Sequence, residues 1–200
     1  MSEPKPIPTT PSISIPPRQG AASYLVVLLH GVGADAASFQ GVARMLGESL
    51  QRAELIVPDG FHPFDGGGQG RQWFSVRGVT DENRPVRVRD AGAEVSRWID
   101  VELSRRGLGS DRLVVVGFSQ GAIVGAWLAV HRAPRPAAVV ILSGRVAEAD
   151  VPSAGVGPRV LIAHGDRDGT MPASLVDSGT SVLEAWGRAG DETCISRPRP

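Results

Sequence analysis

The chain has 200 residues, 42% of them hydrophobic and 21% charged, with 21 Lys+Arg against 21 Asp+Glu. That length supports one domain with a substantial core and is short for two. The balanced charge offers no field to hold nucleic acid or an anionic membrane, so neither is an expected partner.

Residues 1–20 hold six prolines by Pro17. Proline lacks a backbone donor and restricts the residue before it, so this stretch reads as a loosely attached arm, within which Ser12–Ile15 can form a short edge strand. The main domain is expected over 21–200. Glu3 and the prolines do not make a secretory signal, and no apolar run approaches the ~20 residues that cross a bilayer. A cytoplasmic protein is expected.

From Tyr24 onward apolar strands alternate with amphipathic helices. Tyr24–Leu29 is a continuous apolar run, as in a strand covered on both faces. Phe39, Val42, Ala43, Leu46 and Leu50 recur at helical steps. Glu54–Val57 is the next strand, closed by Pro58 and followed by a long loop containing Gly66, Gly67, Gly68 and Gly70. Val95, Trp98, Ile99 and Leu103 mark a second helix that ends near Gly107. Leu113–Val116 reads as a strand, Ala122–His131 as a helix, and Ala137–Leu142 and Val160–Ala163 as further strands. Leu175, Val182, Leu183 and Trp186 share one face of a last helix, and a weak strand lies near Thr193–Ile195. This alternation predicts an α/β fold with a mainly parallel sheet and helices on both faces, its site at the carboxyl ends of the strands.

Three motifs fall at those ends. Gly117-Phe118-Ser119-Gln120-Gly121 follows a strand and opens a helix. A nucleophile on so sharp a turn needs small neighbours, and the helix N-terminus favours negative charge there. The plainer alternative is a glycine-rich turn with an incidental serine. His30-Gly31-Val32-Gly33 follows the first apolar strand, and the N–H groups of Val32 and Gln120 can converge on a developing oxyanion. Preorganised donors of this kind are worth ~3–4 kcal/mol each to a transition state. His30 itself reads as a structural loop histidine. His164-Gly165-Asp166-Arg167-Asp168 offers two acids after a later strand, Asp168 the better candidate for a triad and Asp166 for fixing the loop. The two have no supporting ligand cluster, so no metal site is expected.

The stretches LLHGVGAD (28–35), RQWFSVRGVTDENR (71–84), GFSQGAI (117–123) and HGDRDGTMP (164–172) together resemble the phospholipase/carboxylesterase family of small α/β-hydrolases. These are relatives of the acyl-protein thioesterases, and the likeness is to the bacterial carboxylesterase branch. The resemblance runs from about Tyr24 to Trp186 and implies an α/β-hydrolase fold and a cofactor-free hydrolase of small carboxylic esters or thioesters. It implies Ser119 as nucleophile, Asp168 as triad acid, Val32 and Gln120 as oxyanion donors, and Trp73 and Phe74 as lining of the acyl pocket.

The family's catalytic histidine follows the last strand in a Gly-His pair, with a closing helix after it. Here the corresponding strand is Glu192–Ile195, and the tail Ser196-Arg197-Pro198-Arg199-Pro200 holds neither. His30 and His164 belong to loop motifs. His131 ends the helix that starts at Ser119, about 12 residues or ~18 Å along the axis. His62, in the long loop, is the least implausible substitute. Loss of a triad histidine costs about 10⁶ in turnover. The resemblance therefore implies a shortened esterase, a non-catalytic acyl-binding relative, or a base from a partner chain. A missing last helix would uncover part of the sheet, with lower stability or self-association into a homodimer as the expected result.

The remaining features have bland readings. Gly66–Gly70 lacks the Gly-Lys-Ser/Thr of a phosphate loop and reads as a flexible loop near the site. Arg84, Arg87 and Arg89 read as a solvated face, with an acidic substrate as the alternative. Trp98, Trp127 and Trp186 read as packing residues. Cys194, the single cysteine, excludes an internal disulfide, fits a reducing compartment and reads as a half-buried strand residue rather than a nucleophile.

Overall fold

The computed structural model describes residues 9–145, 157–165 and the strand 194–196. In chain order the described elements are β1 (Ser12–Ile15), β2 (Tyr24–Leu29), α1 (Ala36–Ser49), β3 (Ala53–Pro58), β4 (His62–Pro63), β5 (Arg71–Gln72), α2 (Arg84–Arg106), β6 (Leu113–Phe118), α3 (Gln120–His131), β7 (Ala138–Leu142), β8 (Arg159–Ala163) and β9 (Cys194–Ser196). Seven of the strands form one sheet in the order β1-β3-β2-β6-β7-β8-β9, and β4 pairs with β5 as a small hairpin. All neighbours in the large sheet run parallel except β1, which lies antiparallel on β3.

Alternation along each strand divides the core. Leu25, Val27 and Leu29 of β2, with Leu113 and Val115 of β6, face α2 and α3. Val26 and Leu28, with Val116 of β6, face α1. The two faces follow from handedness: β2 to β3 steps one way along the sheet and β6 to β7 the other, so right-handed crossovers send their helices to opposite sides. Helices on both faces of a mainly parallel sheet are thus present, as the strand-helix alternation predicts.

Capping sets the helix ends. At α1, Asp35 accepts a hydrogen bond from the Ser38 N–H (2.8 Å) and the Ser38 hydroxyl accepts one from the Asp35 N–H (3.0 Å). Gly107, at φ 63°, closes α2 in a left-handed conformation. Between α2 and α3, Gly92 is required: a Cβ there would lie 2.1 Å from the Trp127 ring.

Several expectations change. The second helix begins at Arg84, eleven residues before its first expected core position, Val95. Its first turns carry the arginines that tie down the preceding loop, so they lack the apolar rhythm of the later turns. Ser12–Ile15 is indeed an edge strand, and the N–H groups of Arg18 and Gln19 both donate to the Gln51 carbonyl. Part of the proline-rich stretch is therefore fastened to the sheet. The glycine-rich loop contains the hairpin of β4 and β5, held by backbone bonds from Phe64 N–H to Gly70 O and from Gly33 N–H to Arg71 O. The helix expected around Leu175–Trp186 lies outside the described residues.

Candidate active site

The strand order reverses between β2 and β6, which makes their carboxyl ends the crevice where open α/β sheets bind ligands. Leu29 pairs with Gly117, so the two loops that leave these strands start side by side.

One is the turn at Ser119. Its backbone sits at φ 52°, ψ −114°, a conformation that L-residues adopt at a cost of about 1–3 kcal/mol. The surroundings hold it there. Its N–H donates to Leu142 O (2.9 Å), and its carbonyl accepts from the N–H groups of Ala122 (3.0 Å) and Ile123 (3.1 Å). Glycine is compulsory on both sides: a Cβ on Gly117 would lie 2.4 Å from Gly121 O, and one on Gly121 would lie 2.2 Å from Leu29 O. The serine thus stands at the N-terminus of α3, where the helix dipole favours negative charge.

The other loop is His30–Gly33. A Cβ on Gly31 would reach 3.4 Å from the Ser119 Cβ, so the two loops are in contact. Val32 is exposed next to this contact. Gln120, by contrast, is buried, and its side chain has a use the sequence did not reveal. Its Oε1 accepts from the Trp73 N–H (2.9 Å) and its Nε2 donates to Phe74 O (2.8 Å). No local pattern signals a contact across 47 residues.

Trp73 exposes none of its surface. Its indole N–H donates to the His30 carbonyl (2.8 Å), and its ring packs against His30 and Phe61. With Phe74 it borders an open cavity of about 690 Å³ between the hairpin and α2, and neither Ser119 nor Val32 lines that cavity.

His30 is fixed at both nitrogens. Its Nε2 accepts from the Gly60 N–H (2.9 Å), which leaves the proton on Nδ1 to donate to Gly31 O (2.8 Å). Burial pushes its pKa below the ordinary 6.5. This is the structural loop histidine that the sequence suggests. His62 Nε2 lies 3.4 Å from Glu94 Oε2 on α2. His131 stacks on Trp127 at the far end of α3. His164 directly follows β8, two strands from β6 in the sheet. Asp166 and Asp168 lie outside the described residues.

The loop after β5 is braced by charge. Asp65 accepts from the Ser75 hydroxyl (2.7 Å) and from the N–H groups of Val76 (2.9 Å) and Arg77 (3.0 Å). These bonds, the Ser75 hydroxyl foremost, hold its carboxyl well below the usual range. Arg87, read from sequence as part of a solvated face, donates to the carbonyls of Ser75 (2.7 Å) and Arg77 (2.9 Å). Its work is to hold this loop.

A serine on a strained strand-to-helix turn, beside a glycine loop at the switch point of a parallel sheet, defines the α/β-hydrolase class. The chain belongs to the phospholipase/carboxylesterase family, which it matches over residues 11–196. Esterase YpfH of Escherichia coli K12 is 28% identical over 168 residues, covering 83% of this chain and 71% of that protein. The crystal structure of esterase PE8 is 25% identical with a TM-score of 0.81, covering 95% of this chain and 90% of that one. A carboxylesterase from Mesorhizobium loti shares the fold at 23% identity and a TM-score of 0.73, covering 90% and 81%. No helix among the described residues is long and apolar enough to cross a membrane.

Proposed function

We propose that the chain is a serine carboxylesterase acting on short- to medium-chain carboxylic esters or thioesters through an acyl-Ser119 intermediate. The observation that carries this reading is the strained Ser119 turn in contact with the Gly31 loop. In the proposed reaction the Ser119 hydroxyl oxygen adds to the carbonyl carbon and its proton passes to a base. The N–H groups of Val32 and Gln120 hold the resulting oxyanion. Collapse expels the alcohol or thiol, which takes up the proton. Water then adds to the acyl carbon, the acid leaves, and the serine hydroxyl is restored. The scheme balances without a cofactor. Asp168 is assigned to orient the base and Phe74 to the apolar wall behind the loops, with Trp73, none of whose surface is exposed, backing that wall without reaching substrate. Val32 and Phe118, 37% and 42% exposed, give apolar surface beside the serine, which suits an uncharged acyl group.

A second reading is favoured by the histidines. Of the four in these 200 residues, His30 is spent on backbone, His62 faces Glu94, His131 ends α3 away from Ser119, and His164 follows β8, two strands from β6. On that reading the chain holds acyl ligands and turns over about 10⁶-fold more slowly than a complete triad. Hydrolysis of p-nitrophenyl acetate and butyrate decides between them. The esterase reading predicts turnover that disappears in Ser119→Ala, and equal rates for both proteins would refute it. The ligand-holding reading predicts that added butyrate binds while neither ester is turned over.

A further inference from the structure

The N–H groups of Val32 and Gln120 lie on loops from different strands, past the last sheet pair of Leu29 with Gly117. Sheet hydrogen bonds alone do not fix their separation. Residues 71–74 span the gap. Arg71 exchanges backbone bonds with the first loop, its carbonyl accepting from Gly33 N–H (2.8 Å) and its N–H donating to Ala34 O (2.8 Å). Two residues on, the Trp73 indole donates to the carbonyl of His30, the residue that starts that loop. The backbone of Trp73 and Phe74 is then gripped from the second loop by both ends of the Gln120 carboxamide. Gln120 and Trp73 are 3% and 0% exposed, so neither has solvent as an alternative partner. Hydrogen bonds this buried leave the full desolvation cost on whichever group loses its partner.

We propose that the Gln120 side chain and the Trp73 indole are positioning residues that set the spacing of the two oxyanion donors; this rests on the reading of Ser119 as nucleophile. Neither side chain touches substrate. A circuit runs from the Ser119 turn through the 73–74 backbone and the indole to the His30 carbonyl, and so to Val32. Loosening it moves one donor relative to the other, and the loss falls on the transition state rather than on substrate binding.

The test compares kcat, KM for p-nitrophenyl acetate and thermal midpoint in the unaltered chain, Trp73→Phe, Gln120→Leu and Val95→Ala. Trp73→Phe keeps an aromatic ring and removes the N–H. Gln120→Leu keeps the backbone donor and removes both side-chain bonds. Val95→Ala opens a void in the same core. In the first two, kcat falls about tenfold or more with KM changed less than about twofold. Val95→Ala lowers the midpoint and leaves kcat unchanged. Retained kcat in Trp73→Phe, or an equal fall in Val95→Ala, overturns the proposal. Should Gln120→Leu not fold, Trp73→Phe decides alone. If Ser119→Ala hydrolyses the ester as fast as the unaltered chain, the esterase reading fails. The spacing role is then read from amide hydrogen exchange at residues 31–33. Faster exchange in Trp73→Phe supports it, and unchanged exchange overturns it.

Discussion

Glycines at the Ser119 turn differ from glycines elsewhere in what a methyl group would meet. At Gly121 it would meet the Leu29 carbonyl at 2.2 Å, backbone that cannot turn aside. Gly121→Ala should destabilise the fold by about 3 kcal/mol, measured by urea denaturation. Gly41, in the middle of α1, has nothing within 4 Å, so Gly41→Ala should stabilise by about 0.5–1 kcal/mol. Similar effects at the two sites would show that the turn is not packed as described. His30 makes a second residue-scale prediction. Its Nε2 must stay unprotonated to accept from Gly60, while Asp59, Asp35 and Arg71 lie around it. Its folded pKa is lowered, so its contribution to stability is present above 6.5 and is lost as pH falls through the folded value. Titration of its ring by NMR should give a midpoint below 6.5, and a midpoint at or above that would contradict the assignment. At this scale the serine, its glycines and the histidine loop were legible because their demands are local. The Gln120 carboxamide and the Asp65 brace were not, because their partners lie 46 and 47 residues away in one case and 10 to 12 in the other, with no shared period.

Among the elements, β3 and α2 are joined by a charge cluster at the end away from the site. Arg106 pairs with Glu54 of β3 (2.5 Å) and with Glu102 of its own helix (2.6 Å), and the Ser14 hydroxyl of β1 also donates to Glu54 (2.7 Å). These side chains are largely buried, so removing the cation leaves Glu54 with the Ser14 hydroxyl alone and Glu102 with Arg105 alone. Arg106→Ala should cost about 2–3 kcal/mol. The Arg106 hydrogen bond holds the Glu54 carboxyl below its usual 4.5, so that part of the stability is present above 4.5 and is lost as pH falls through the lowered value. The gap between variant and unaltered chain, followed by urea denaturation, should therefore narrow below pH 4.5; a gap that widens in acid would contradict the pairing. The seven strands of the large sheet were legible to within about two residues because apolar runs end at glycine, proline or charge, whereas β4 and β5, two residues each, carry no such run. The start of α2 was not. Pro85 in its first turn suits a helix start, but the arginines around it carry no apolar periodicity, and the Arg87 bonds to the loop carbonyls that fix this end exist only in the folded chain.

At the scale of the whole molecule, the order β1-β3-β2-β6-β7-β8-β9 puts the strand-order reversal where the two motif loops meet. Sequence predicted the class of sheet and expected the two motif loops to converge, but not the strand pairing that brings them together, since β2 and β6 are separated by two helices and the 83 residues between Leu29 and Leu113 carry no pairing code. Register supplies it. On the proposed reading this junction makes Ser119 a nucleophile. The most direct measurement is intact-mass and peptide mapping after brief exposure to a fluorophosphonate. Rapid modification by one equivalent is expected on the peptide containing Ser119, absent in Ser119→Ala. A chain that stays unmodified, or is modified equally in Ser119→Ala, would contradict that reading.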